Sequence, residues 1–273
     1  MTAKIQFGVS TDPGQVRQNN EDSYGIAPEL NLFVLSDGMG GLDHGEVASR
    51  LAVDTILGFC RKHVGNGAEP IAGAQIEGVS AETNRLATAI REANRAIHSL
   101  AQQTGTRQMG ATIVAVQFVD NRMSIAHVGD SRAYRLRGGH LEQLTRDHSY
   151  VAEQVRHGRM TSEEADASAL QNVLMRALGI EDDVDVDVTE ELVTEADTIL
   201  LCSDGLTREL SDAQIAGVLG EAKDPQRAAS DLTRLANDAG GGDNITVVVV
   251  RAPRGGDGLL GRTTGWLKKM GLQ

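Results

Sequence analysis

Three strand-like apolar segments in this chain each carry an aspartate at one end, beside glycine. Leu32-Phe33-Val34-Leu35 runs into Ser36-Asp37-Gly38-Met39-Gly40-Gly41, and Thr198-Ile199-Leu200-Leu201-Cys202 runs into Ser203-Asp204-Gly205. The third aspartate comes before its segment: Gly240-Gly241-Gly242-Asp243-Asn244 feeds the run Ile245 to Val250. Taken singly, each could be a turn. Taken together, they sit where a sheet can bring three distant acids to one place. Unpaired buried carboxylates are costly, so such a cluster implies compensating cations. Glycine beside the acid lets the backbone approach closely, so that a carbonyl can face the same ion as the side chain. An all-oxygen donor set suits Mg²⁺ or Mn²⁺ better than a soft metal.

The rest of the composition narrows the class. Aromatic residues make up 3% of the chain against 40% hydrophobic, so the core must be aliphatic. The net charge of -12 argues against a phosphate-backbone ligand, and an acidic protein that handles phosphate groups needs metal ions to invert its local field. Cys60 and Cys202 sit singly in apolar segments and read as small buried hydrophobes. The N-terminus lacks an apolar leader and no run is long enough for a membrane span, which predicts a cytoplasmic protein.

Along the chain, Ile5, Phe7 and Val9 alternate with polar residues as a half-buried strand. Arg17, Glu21 and Asp22 then share a short polar stretch that by itself reads as a solvated loop, yet next to an aspartate cluster Arg17 is a candidate phosphate fork. Helices are predicted from Glu46 to Val64, with Val47, Leu51, Ile56, Leu57 and Cys60 forming the apolar surface, and from about Ala81 to Gln103, capped by Ser80. Residues 65–80 read as a loop. Short strands follow at 112–119, 123–128, 133–136 and 141–144, joined by tight turns that force antiparallel neighbours. Gly129-Asp130-Ser131-Arg132 lies within this meander. The stretch 145–182 is more polar and more helical, with a capping box at Thr161 and Glu164. Val184, Val186 and Val188 alternate as a strand. Ser211 with Gln214, and Asp224 with Pro225, open two further helices. Beyond Arg251 the composition shifts to Gly, Pro and charge, which predicts a flexible tail.

Five motifs in order, Arg17 with Asn20-Glu21-Asp22, Asp37 to Gly41, Gly129 to Arg132, Ser203 to Gly205 and Asp243 to Thr246, resemble the metal-dependent serine/threonine protein phosphatases of the protein phosphatase 2C type, in their bacterial branch. The resemblance implies an α+β fold of two packed antiparallel sheets flanked by helices, with residues 1–251 as catalytic domain, 145–182 as a flap-like insertion and 252–273 as tail. It implies that Asp37 bridges two Mn²⁺ or Mg²⁺ ions, that the Gly38 carbonyl holds one of them, and that Asp204 and Asp243 complete the other ion's shell. Glu21 and Asp22 would sit at the second ion directly or through its waters. Asp130 would help Asp204 hold a third ion, and Arg17 would grip the phosphate. A water shared by the two ions would attack phosphorus directly, with no phosphoenzyme. Animal-type members carry a histidine where this chain has Met39, which cannot donate a proton.

The implied partners are phosphorylated proteins and a Ser/Thr kinase whose action is reversed, with a monomeric enzyme and no nucleic acid. A catalytically idle scaffold is the alternative, and it would be expected to have lost metal aspartates.

Overall fold

The computed structural model describes residues 5–40, 44–63, 75–106 and 108–251. Its strands fall into two antiparallel sheets. The first contains β1 (Gln6–Asp12), β11 (Ile245–Arg251), β10 (Thr198–Cys202), β7 (Arg132–Arg137) and β8 (His140–Gln143), in that spatial order. The second runs β2 (Asp22–Ala27), β3 (Leu32–Met39), β5 (Ile113–Val119), β6 (Arg122–Val128) and β9 (Asp187–Leu192), with the short β4 (Gly110–Ala111) paired to the end of β3. Helices α1 (His44–Lys62) and α2 (Ala81–Thr104) cover the second sheet. Helices α6 (Asp212–Glu221) and α7 (Pro225–Ala239) cover the first. The expected α-β-β-α sandwich is the observed one.

The side-chain period of two explains why the central strands are apolar throughout rather than alternating. In β3, Leu32 and Val34 face α1 and α2, while Phe33 and Leu35 enter the core between the sheets. In β11, Val247 and Val249 pack on α6 and α7, while Val248 and Val250 meet Phe33 and Val116 from the other sheet. Three cores thus lie in parallel layers, and with few aromatics they are filled by aliphatic side chains. Cys60 and Cys202 are free thiols within these cores. Burial pushes each up to about 12, so both stay protonated and inert.

The helix signals are realised locally. The Ser80 side chain accepts from Thr83 N, and the Asp224 side chain accepts from Arg227 N with Pro225 following it. Capping boxes close at Thr161 with Glu164 and at Ser211 with Gln214. Two expectations shift. The buried face of α1 is centred on Ala48, Ala52 and Ile56, which leaves Val47 at the surface. The strand expected over Val184, Val186 and Val188 starts only at Asp187, because hydrogen-bonded pairing with β6 begins at the pair His127 and Asp187. Val184 and Val186 instead reach the helix-side core from irregular backbone. The 145–182 segment holds two short helices, α3 (Tyr150–Arg156) and α4 (Ser162–Asp166), among turns. The tail expected at 252–273 and most of the loop expected at 65–80 lie outside the described residues.

A candidate metal and phosphate site between the sheets

Every acid singled out above lies where the chain enters, leaves or crosses between the two sheets. Asp22 opens β2 and stands opposite Asp37 in the register of β2 with β3. Asp204 follows β10 and begins the short helix α5 (Asp204–Thr207), and Asp243 directly precedes the Asn244-Ile245 entry to β11. Asp130 occupies the turn that carries the chain from β6 in one sheet to β7 in the other. A strand-end acid and a crossover turn are both forced to the rim of the sandwich, and here they share one rim.

The scaffold around these acids is hydrogen-bonded rather than apolar. Thr112 donates its N–H to Asp37 O at 2.8 Å, and its hydroxyl accepts from Asp37 N at 2.9 Å. The same hydroxyl lies 2.7 Å from that of Ser131, so one threonine couples the Asp37 strand to the Asp130 turn. Gly129 takes φ +104°, and a Cβ there would fall 2.6 Å from Thr112 Cβ, so only glycine fits. At Gly38 a Cβ would lie 2.0 Å from Gly45 O, which lets the first turn of α1 close directly over the strand end. Asn244 fastens the β1–β2 connection. Its amide nitrogen donates to Pro13 O and Asn19 O, and its amide oxygen accepts from Glu21 N at 2.8 Å.

The electrostatics are those of crowded carboxylates out of water. Burial pushes Asp22 and Asp130 each up to about 7, even though hydroxyls of Thr246 and Ser203 hydrogen-bond Asp22 and pull the other way. Asp37 is raised well above the ordinary carboxylate range, first by burial and then by Asp22, Asp204, Asp130 and Asp243. Burial also raises Asp204, against the opposing pull of Arg208. Two oxygens, Asp22 Oδ1 and Asp204 Oδ1, are buried with no hydrogen-bond partner. Oxygen donors alone, crowded negative charge and orphaned lone pairs together fit a pair of hard divalent cations.

Arg17 reaches this cluster from the β1–β2 connection and donates to Asp243 Oδ2 at 2.9 Å with its side chain 52% exposed. The structure also brings in a group that sequence reasoning missed. Arg208, four residues after Asp204, pairs with that carboxylate and donates to Asp243 Oδ2 at 3.1 Å. Spacing of i and i+4 across one helical turn was the available signal. Glu21 stands at the border of the site, where a Cβ on Gly45 would lie 2.8 Å from Glu21 Oε2, so its carboxylate rests on the first turn of α1. A cleft of about 640 Å³ leads away from the acids, bounded by Arg208 and Asp243 on one side and by Ser149, Val151 and Ala165 of the 145–182 segment on the other.

That segment is pinned by a second cluster. His127 and His148 stack with ring centroids 4.8 Å apart, and His148 Nε2 lies 3.4 Å from Asp187 Oδ2. Donor atoms of these three residues lie within 4.8 Å of one another, a spacing that could hold an ion. Arg176 donates to Asp187 Oδ1 at 2.5 Å, however, and Gly129 N donates to His148 Nδ1 at 3.1 Å. The cluster is therefore a hydrogen-bonded latch.

The sequence profile described as Protein phosphatase 2C matches residues 14–237. The chain belongs to the protein phosphatase 2C family. Protein phosphatase PhpP of Streptococcus pneumoniae is 35% identical over 249 residues, covering 90% of this chain and 97% of that protein. The serine/threonine phosphatase stp of Listeria monocytogenes is 36% identical over 244 residues, or 88% of this chain and 93% of that one. Among solved structures, the Mycobacterium tuberculosis serine/threonine phosphatase PstP/Ppp superposes with a TM-score of 0.79 at 35% identity, over 92% of this chain and 99% of that chain. The catalytic domain of PstP in complex with two manganese ions superposes at 0.77, again at 35% identity and over the same shares. The relatives are phosphatases by name, and the idle-scaffold alternative has no support in a chain that keeps these acids.

Proposed function

We propose that this chain removes phosphate from phosphoserine and phosphothreonine in proteins, using Asp22, Asp37, Asp204, Asp243 and the Gly38 carbonyl to hold two Mn²⁺ or Mg²⁺ ions. Glu21 acts on one of them through water, and Asp130 with Asp204 is suited to a third. The observation that carries the assignment is the convergence of buried aspartates from both sheets, two of them with orphaned oxygens. When bound, the ions supply Lewis-acid charge that makes water a nucleophile at neutral pH and neutralises the phosphoryl oxygens.

The chain's own residues do the remainder. The carboxylates fix where the positive charge sits, and the Thr112, Ser131 and Asn244 hydrogen bonds hold those carboxylates so that little reorganisation is needed during the reaction. Arg17, exposed at the rim, swings from Asp243 to the phosphoryl oxygens and orients them for in-line attack. Arg208 keeps Asp204 and Asp243 in place from the other side. Water forms the new bond to phosphorus and releases a proton, the bond from phosphorus to the serine or threonine oxygen breaks, and that oxygen takes up a proton as it leaves, so the products are the free hydroxyl and inorganic phosphate. Met39 has no proton to supply, and a water at the site is the candidate donor.

The catalytic unit spans residues 1–251 with 145–182 as flap, and it acts as a monomer in the cytoplasm against the products of a Ser/Thr kinase. No helix among the described residues is long and apolar enough to cross a membrane. The test is phosphate release from a phosphothreonine peptide with Mn²⁺, Mg²⁺ or EDTA. Release that requires metal and falls by at least about 10³-fold in Asp37→Asn, with the variant folded, is expected. Release that persists in EDTA would overturn the assignment.

A further inference from the structure

Met39 ends β3, two residues after Asp37. Its Cε lies 2.6 Å from where a Cβ on Gly110 would stand, and Ile180 Cδ1 lies 3.1 Å from the same point. Met39 and Ile180 form part of the apolar lining of a surface cavity of about 490 Å³, together with Met175 from the flap segment. Met175 is 61% exposed and Ile180 44%. The lining of this cavity also includes Glu181, Asp183 and Asp185, all exposed. Among the described residues no Lys or Arg forms an ion pair with any of these three carboxylates. The one guanidinium lining the cavity, that of Arg176, pairs with Asp187 and donates to the backbone carbonyl of Asp185 at 3.1 Å, and it meets none of these three carboxylates.

An apolar floor with an unneutralised acidic rim matches one kind of side chain, an aliphatic stem ending in a cation. Lysine and arginine bury their methylenes while keeping the charged head at the edge. From Asp37 to Met39 is two residues of extended backbone, about 7 Å. A peptide whose phosphoresidue sits at the acids would therefore place residues about two or three positions away over the cavity. We propose that this cavity selects phosphoprotein substrates carrying Lys or Arg two or three residues from the phosphoserine or phosphothreonine. The inference rests on the phosphatase reading above and names the substrate class that the site prefers. Glutamate or aspartate at those positions would meet like charge in a molecule that is already at -12.

The test compares kcat/KM on phosphothreonine peptides that differ only in carrying Lys, Ala or Glu at the second and third positions on either side, with p-nitrophenyl phosphate as a substrate too small to reach the cavity. The Lys peptide on its preferred side is expected to exceed the Glu peptide by about tenfold, a ratio that shrinks as salt is added. The double variant Asp183→Asn with Asp185→Asn, two exposed positions outside the metal site, should cut the ratio to a small fraction of its wild-type value, with Glu181 left to carry the remainder, while p-nitrophenyl phosphate turnover stays unchanged. Equal rates on Lys and Glu peptides in the wild type would overturn the proposal, as would a Lys preference that is undiminished in the double variant. Loss of p-nitrophenyl phosphate turnover in the wild type would instead point to failure of the phosphatase reading itself.

Discussion

At the residue scale, two arginines share one carboxylate oxygen, Asp243 Oδ2, and their surroundings separate their roles. Arg17 is half exposed and comes from a loop, whereas Arg208 is held one helical turn from Asp204 and pairs with both acids. Arg17→Ala should raise KM for phosphopeptides by about 10- to 100-fold, the worth of a charge-assisted hydrogen bond to phosphate, while leaving the manganese dissociation constant within a few-fold. Steady-state kinetics beside a calorimetric titration of Mn²⁺ would read both quantities, and a large loss of metal affinity would argue that Arg17 serves the ion site instead. Asp37 and Asp204 were legible in the sequence because each ends an apolar run in front of glycine, a pattern that survives without coordinates. Arg208, Thr112 and Asn244 were not assigned these roles, because their importance arises only when β10, β5 and the β1–β2 connection converge.

At the scale of the element, the flap depends on three side chains more than on its own helices, which are only seven and five residues long. The His148 hydrogen bond, and behind it Arg176, holds Asp187 well below the ordinary carboxylate range. A depressed carboxylate contributes stability above its unfolded value of about 3.9, and that contribution is lost as pH falls from there toward the folded value. Asp187→Asn should therefore speed amide exchange across residues 145–182 at pH 7, and the gap between variant and wild type should narrow steadily below about pH 4. A constant gap across that range would place the stabilisation elsewhere. The same neighbourhood shows why the valine alternation was misread: a period of two reports which side chains are buried, and Val184 and Val186 are buried without belonging to a ladder.

At the scale of the whole molecule, Asp22 and Asp37 lie on strands of one sheet while Asp204 follows β10 and Asp243 precedes β11 of the other, so ions held by the proposed set would link the two halves of the sandwich. Mn²⁺ at about a hundred times its dissociation constant should add about 2.7 kcal/mol to stability and raise Tm by about 5–10 °C, with EDTA reversing the shift and Asp37→Asn abolishing it. Differential scanning fluorimetry would show this, and an unchanged Tm in saturating metal would count against ions bridging the sheets. Strand positions and cap residues were legible from local pattern. The stacking of the sheets came only from the resemblance, because strand order depends on pairings between distant segments. The longest of these is β1 against β11, where Gln6 lies opposite Arg251. It has a consequence for how the enzyme comes into being. A ribosome must finish nearly the entire catalytic unit before the first strand can find its neighbour, and Asp243 is among the last site residues to emerge. A chain that stops short of residues 243–251 lacks both the partner of β1 and one of the proposed metal aspartates, so activity is expected only once that last stretch has been made.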